Sequence, residues 1–344
     1  MIWHPLSVSV LTMDLICLLL VVAAVLSAIR IVTGWSPEST NEGQIDLARK
    51  AKTVSIQGRI GFALLLLSTL VLVAGITSVF PKLVHGAMCG AGVLQATKGA
   101  AGRALALRGL ALGLLAVWHL LDRMNRRQPD SPLTTVAARS LLLASPVAVI
   151  AVYDTMRAIL RLDVNRPVDC CSVVYGRIRS AGQAGGLSGI PDAYWIWGLA
   201  LGGIAIILLG VRLWRSSRPT GARATGFVAL LTILWVPVAA TGLVRSLAPY
   251  LHGVPQHRCP WCLFLPQHRL VGYLLFGCLI LVVLEAGAAF VSSLVAARFP
   301  ALETETYKRT RNAGWRLAAA TVLFLAVSGL PPILWRLQLG VWME

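Results

Sequence analysis

The stretch with the most evident chemistry is His257-Arg258-Cys259-Pro260-Trp261-Cys262. Proline is favoured in the first turn of a helix, where its missing amide hydrogen would have no partner anyway. Cys259 is therefore expected at the N-terminal edge of a helix. There the helix dipole and the neighbouring Arg258 would both favour a thiolate and lower its pKa, making Cys259 the attacking sulfur. Cys262, three residues on, is within reach to close or resolve a disulfide, and His257 is placed to assist proton transfer. Thiolate and imidazole are also metal ligands, so a capture site and an inert disulfide stay open beside redox chemistry.

Two further segments carry sulfur. Cys170 and Cys171 lie in Asp169-Cys170-Cys171-Ser172. A bridge between adjacent residues demands a strained ring, so separate partners are expected for them. In Pro81-Lys82-Leu83-Val84-His85-Gly86-Ala87-Met88-Cys89-Gly90, a helix would put His85 and Cys89 on one face, able to share a metal or a hydrogen bond. Gly86, Gly90 and Gly92 equally permit a tight non-helical loop. Connectivity among these five thiols is open from sequence, and their odd number leaves at least one unpaired or intermolecular. Cys17 and Cys278 fall in apolar runs and read as small buried hydrophobes.

The elements that position these groups are membrane helices. Of 344 residues, 57% are hydrophobic and 13% charged, with a mean hydropathy of +0.74, far from the composition of a soluble domain. Eight apolar windows are long enough to cross a bilayer, at about residues 8–32, 60–80, 104–121, 140–160, 193–214, 225–248, 270–296 and 315–337. The expected fold is an all-α, polytopic integral membrane bundle. It is read as a first four-helix half over 1–165, a linker over 166–192 bearing Cys170 and Cys171, and a second half over 193–344. The formal charge of +17 would point to nucleic acid in a soluble chain, but here many cations flank spans and are expected to set topology and meet lipid headgroups. No nucleotide-binding signature is present, and no nucleic-acid partner is expected.

Arg49, Lys50, Lys52 and Arg59, then Arg123, Arg126, Arg127 and Arg139, then Arg215, Arg218 and Arg223, then Lys308, Arg309 and Arg311 occupy alternate loops. The positive-inside rule puts these loops in the cytoplasm of a cell (inner) membrane protein and both termini outside. Cys89, Cys170, Cys171, Cys259 and Cys262 then all face the extracytoplasmic side, where thiols can remain oxidised. His4, His85, His252, His257 and His268 fall on the same side. The segment from Gly34 to Gly58 reads either as a short amphipathic surface helix or as a solvated connector.

At a membrane edge, the Cys-Pro-Trp-Cys stretch resembles the CxxC sites of thioredoxin-like oxidoreductases, and its setting is similar to that in the DsbB and vitamin K epoxide reductase families. The resemblance implies disulfide exchange by Cys259 and Cys262 with an external thioredoxin-like partner, a relay through Cys170, Cys171 or Cys89, and a lipid quinone. A second reading is a metal or haem subunit of a larger membrane complex. In it His85, Cys89, His252, His257, Cys259 and Cys262 capture zinc, copper or haem from a carrier protein, although the covalent CxxCH attachment motif is lacking because Leu263 follows Cys262. A third is a scaffold with a disulfide-stapled cap.

Pro81-Lys82-Leu83-Val84-His85-Gly86 is echoed by Pro249-Tyr250-Leu251-His252-Gly253, four spans later, with cysteines following both. That spacing is compatible with a parallel 4+4 repeat. Within spans, Gly109 with Gly113 and Gly198 with Gly202 have the spacing of close helix contacts. Asp14, Asp154 and Glu285 are costly in hydrocarbon unless paired. Asp14 and Asp154 are expected to reach the outer interface. Glu285 is expected either to pair with an arginine or to mark a proton path.

Overall fold

The computed structural model describes all residues except 1–2, 37–40, 129, 166, 169–189, 255–256 and 343–344. The described residues are helical and contain no strand. Among them, eight helical segments are long and apolar enough to cross a membrane, which makes this a multi-pass membrane protein. The chain divides into two compact units, Met1–Val168 and Asp169–Glu344.

In the first unit α1 (Pro5–Gly34), α2 (Glu42–Ala74), α4 (Ala100–Asn125) and α5 (Thr134–Leu160) form a four-helix bundle, with the short α3 (Gly90–Ala96) in the connection between α2 and α4. The pattern along α1 explains the packing. Its buried residues are Ser7, Val10, Asp14, Cys17, Val21, Ala24, Ala28 and Ile31, at helical spacing, whereas Leu15, Leu19 and Leu26 are exposed. Small and polar side chains face the helices and large aliphatic ones face outward, the arrangement expected where lipid is the solvent. Residues 42–58 are the first turns of α2, capped by the Asn41 side chain accepting from the Gln44 amide at 3.1 Å. The expected surface segment is thus the start of the second span. Gln44 ties it to α1 by donating to the Gly34 carbonyl at 2.8 Å.

The second unit repeats the plan with α6 (Asp192–Arg215), α7 (Ala222–Gly242), α9 (Val271–Arg298) and α10 (Glu303–Leu339), and with the short α8 (Ala248–His252) after α7. Both units share one further device. The second long helix of each widens into a π turn, Gly75–Val79 and Leu243–Leu247, just ahead of Pro81 and Pro249. A proline collides with the carbonyl four residues back and offers it no hydrogen, so a wider turn relieves both problems.

The glycine pairs behave unequally. Gly109 and Gly113 face open space, so their spacing brings no helix close. Gly198 and Gly202 do meet α7, where an added Cβ would lie 2.9 Å from Val238 and 2.2 Å from the Trp235 ring. A close helix-to-helix backbone approach joins α6 and α10, where a Cβ on Gly314 would sit 2.6 Å from the Gly210 carbonyl oxygen.

Asp14, Asp154 and Glu285 are each paired. Asp14 does not reach an interface; it is buried against Arg108 of α4 and accepts from Ser68 at 2.6 Å. Asp154 receives both a 2.7 Å and a 3.0 Å bond from Arg103. Glu285 accepts from Arg309 at 2.6 Å and Arg316 at 3.3 Å, which favours the ion-pair reading over a proton path.

Candidate functional site

In the second unit the site is assembled by the chain between α7 and α9. After the π turn, α8 ends at His252, and Gly253 reverses the chain at φ +68°, a left-handed conformation natural only to glycine. The amide of Val254 returns to the Pro249 carbonyl at 3.2 Å and that of His257 to the Val254 carbonyl at 3.1 Å. Cys259 follows with extended dihedrals and caps a five-residue 3-10 turn, Pro260–Phe264. A second short turn, Pro266–His268, leads through two left-handed residues, Arg269 and Leu270 at φ +56°, into α9. Such backbone costs of order 1 kcal/mol or more per residue, and here it turns His268 back toward α8.

Proline does stand in the first turn after Cys259, as its local preference requires. The turn is a single short 3-10 helix, so the dipole available to Cys259 is small. Arg258 is also otherwise engaged, its Nη2 donating to Asp192 at 3.2 Å. Asp192 begins α6 and accepts from Arg245 Nε at 3.1 Å with its other oxygen. The dipole contribution expected at Cys259 is therefore small, and Arg258 commits one of its donors to Asp192.

Cys259 and Cys262 are both buried, and their sulfurs lie within 4.8 Å of one another. The turn that carries them is anchored by Leu263, wholly buried, and by Phe264, which stacks on Phe276 at 5.4 Å and meets Tyr273 edge-on at 4.9 Å. Gly272 makes room for this contact, since a Cβ there would come within 3.0 Å of Phe264.

Three imidazoles gather beside the turn. The His252 ring centre lies 4.4 Å from that of His257 and 4.4 Å from that of His268, both near perpendicular. His252 Nε2 is 3.3 Å from the Cys259 carbonyl oxygen, and its Nδ1 is 3.3 Å from His268 Nε2. Burial pushes the His257 imidazole below its ordinary range. His268 is pushed the same way by burial and then by His257, against the opposing effect of the Leu251 carbonyl. His268 was legible only as a histidine on the cysteine-bearing side; nothing in its spacing marked it as a neighbour of His252, because the left-handed pair at 269–270 creates that contact.

In the first unit Cys89 is buried at the N-terminal edge of α3, whereas His85 is exposed in the preceding turn. The stretch from Leu83 to Met88 is not helical, so His85 and Cys89 do not share a helix face; the glycine-rich alternative holds instead. The His85 backbone is fixed from both sides, its amide donating to Val164 at 3.2 Å and its carbonyl accepting from Val168 at 3.1 Å. Cys170 and Cys171 lie outside the described residues. Cys17 and Cys278 are buried within spans, as their apolar context predicts.

No protein-family model matches the chain, and no curated protein or solved structure matches it either.

Proposed function

We propose that this protein is a membrane thiol-disulfide exchanger that works through Cys259 and Cys262. The observation that carries the reading is the proximity of the two sulfurs, within 4.8 Å on a turn that begins with proline. In the oxidising direction a thiolate of an external, thioredoxin-like partner attacks the Cys259–Cys262 disulfide and forms a mixed disulfide. The partner's second thiolate resolves it, so the partner leaves oxidised and Cys259 and Cys262 remain as two thiols. Cys89, Cys170 and Cys171 serve as the relay, and the sulfur-bearing loops and both termini face outward from a bacterial-type inner membrane.

Reoxidation must remove two electrons and two protons, and a lipid quinone accepts both as it becomes quinol. The second unit has a cavity of about 600 Å³ that suits such a molecule. Its lining includes Ile196, Leu199, Leu325 and Ile333, with Tyr250 and Ser328 as polar side chains along it. Tyr250 precedes His252 by two residues on α8, which links the cavity wall to the sulfur-bearing segment. The matched π turns and proline-led loops further favour a parallel duplication of the two units.

The test is thiol trapping of the intact protein at controlled potential, with Cys259→Ser and Cys262→Ser variants. The expected result is one reversible two-electron couple that disappears in either variant and is reoxidised by added quinone. A scaffold with an inert staple would instead keep the same trapping pattern across all accessible potentials, and that outcome rejects the proposal.

A further inference from the structure

One face of the second unit changes chemistry along its length. The exposed residues of α6 form a stripe at helical spacing: Leu201, Ile204 and Leu208, then Arg212 and Arg215. On the neighbouring α10 the exposed stripe begins with Lys308, Arg311 and Asn312. It passes Trp315 and Arg316 and ends in Val322 and Leu323. The two helices are antiparallel, with Gly210 against Gly314 and Gly203 against Leu325, so their basic ends lie level and their aliphatic parts lie level. At the border the rings of Trp214 and Trp315 stand 5.4 Å apart, as indoles do where hydrocarbon meets headgroups.

The basic end is held in place. The Tyr307 hydroxyl donates to the Ser216 carbonyl at 2.8 Å, and Arg311 Nε to the Trp214 carbonyl at 3.1 Å. Arg311 thereby commits one of its donors to the end of α6 while its side chain stays exposed. Arg316 is 57% exposed, and its bond to Glu285 at 3.3 Å reaches a carboxylate that already accepts from Arg309 at 2.6 Å. One carboxylate cannot balance two guanidiniums. Positive charge is therefore in excess at the level where the surface turns apolar, and a cation at that level is costly without an anion beside it.

We propose that the seam between α6 and α10 binds one anionic glycerophospholipid. Arg311 and Arg316 hold its phosphodiester, because a guanidinium offers paired N–H donors that match two phosphate oxygens. Arg212 and Arg215 add to the local positive field, and the acyl chains lie along Leu208, Val322 and Leu323. A general attraction of basic loops for lipid would be spread over every helix end; this site belongs to one seam. It uses no sulfur and no imidazole, so it is independent of the thiol reading.

The test is native mass spectrometry of the full-length protein in detergent, titrated separately with phosphatidylglycerol and phosphatidylcholine. One phosphatidylglycerol per chain is expected, bound at least about tenfold more tightly than phosphatidylcholine. The double variant Arg311→Gln, Arg316→Gln should lose that preference. The double variant Arg223→Gln, Arg298→Gln removes the same charge from exposed positions at the start of α7 and the end of α9, across the bundle from the seam, and should change it by less than about twofold. A photoactivatable acyl chain on phosphatidylglycerol, applied to the unmutated protein, gives an answer that does not depend on the folding of any variant. Crosslinks are expected on the peptides that contain Leu208 and Val322. Equal binding of the two lipids, equal losses in the two double variants, crosslinks confined to other helices, or displacement of the lipid by inorganic phosphate would each overturn the proposal.

Discussion

Arg108 and Asp14 form an ion pair whose side chains are 0% and 2% exposed, between the middle of α4 and the first half of α1. Three further guanidinium hydrogens go to Thr155 at 2.7 Å, Ser68 at 2.6 Å and Thr69 at 3.1 Å, so four helices share one arginine. Removing one member of a buried pair leaves an uncompensated charge, at a cost of about 3–5 kcal/mol, whereas removing both costs much less. Arg108→Leu and Asp14→Asn should each lower the unfolding midpoint in detergent strongly. The double variant should recover most of the loss. Additive losses would show that the two side chains act independently.

The approach of Gly210 and Gly314 gives a prediction for the second unit. A Cβ on Gly314 would meet the Gly210 carbonyl at 2.6 Å and the Trp214 amide nitrogen at 2.8 Å, both backbone atoms that cannot rotate away. Gly314→Val should therefore separate α6 from α10 and destabilise by at least about 1–3 kcal/mol, the usual cost of overpacking. Gly109→Val, facing open space, should leave the unfolding midpoint unchanged. Equal effects of the two substitutions would count against the packing described.

Hydropathy alone locates every span, because a bilayer demands long apolar helices and little else meets that demand. Pairing inside the spans is harder to read. Asp14 stands out in its run, but its partner Arg108 lies 94 residues away in a helix with two other arginines, of which Arg103 serves Asp154. The Cys-Pro-Trp-Cys turn is legible because proline constrains the adjacent backbone. The His252 and His268 contact is not, since two consecutive left-handed residues, Arg269 and Leu270, follow no glycine signal. Glycine spacing misleads for the same reason: GxxxG marks a face, and only the neighbouring helix decides whether that face is used.

Gly86 should be intolerant of any side chain. It combines φ +78° with a Cβ position 2.3 Å from the Val168 carbonyl oxygen, so both its own backbone and a fixed neighbour oppose substitution. Gly86→Ala should break the two hydrogen bonds that tie His85 to Val164 and Val168. The expected readout is faster amide hydrogen exchange across residues 83–99, with the long helices protected as before. Unchanged exchange at His85 would show that the loop absorbs the methyl group.

Asp192 restrains the one cation that sequence assigns to thiolate stabilisation. Its carboxylate holds Arg258 at 3.2 Å and Arg245 at 3.1 Å, and all three side chains are about one-quarter to one-third exposed. Partly exposed pairs contribute about 1 kcal/mol or less, so their loss should change stability little. Their effect on reactivity separates two arrangements. With Arg258 directed to Asp192, Arg258→Leu should alter the alkylation rate of reduced Cys259 by less than about twofold, whereas a guanidinium beside the sulfur would make that loss about tenfold, one pKa unit. Asp192→Asn frees Arg258 to turn toward the loop and should accelerate alkylation at a fixed pH near neutrality, because a nearby cation raises the thiolate fraction. A tenfold loss in Arg258→Leu, with no gain in Asp192→Asn, would mean that Arg258 already serves Cys259 and that its bond to Asp192 is incidental.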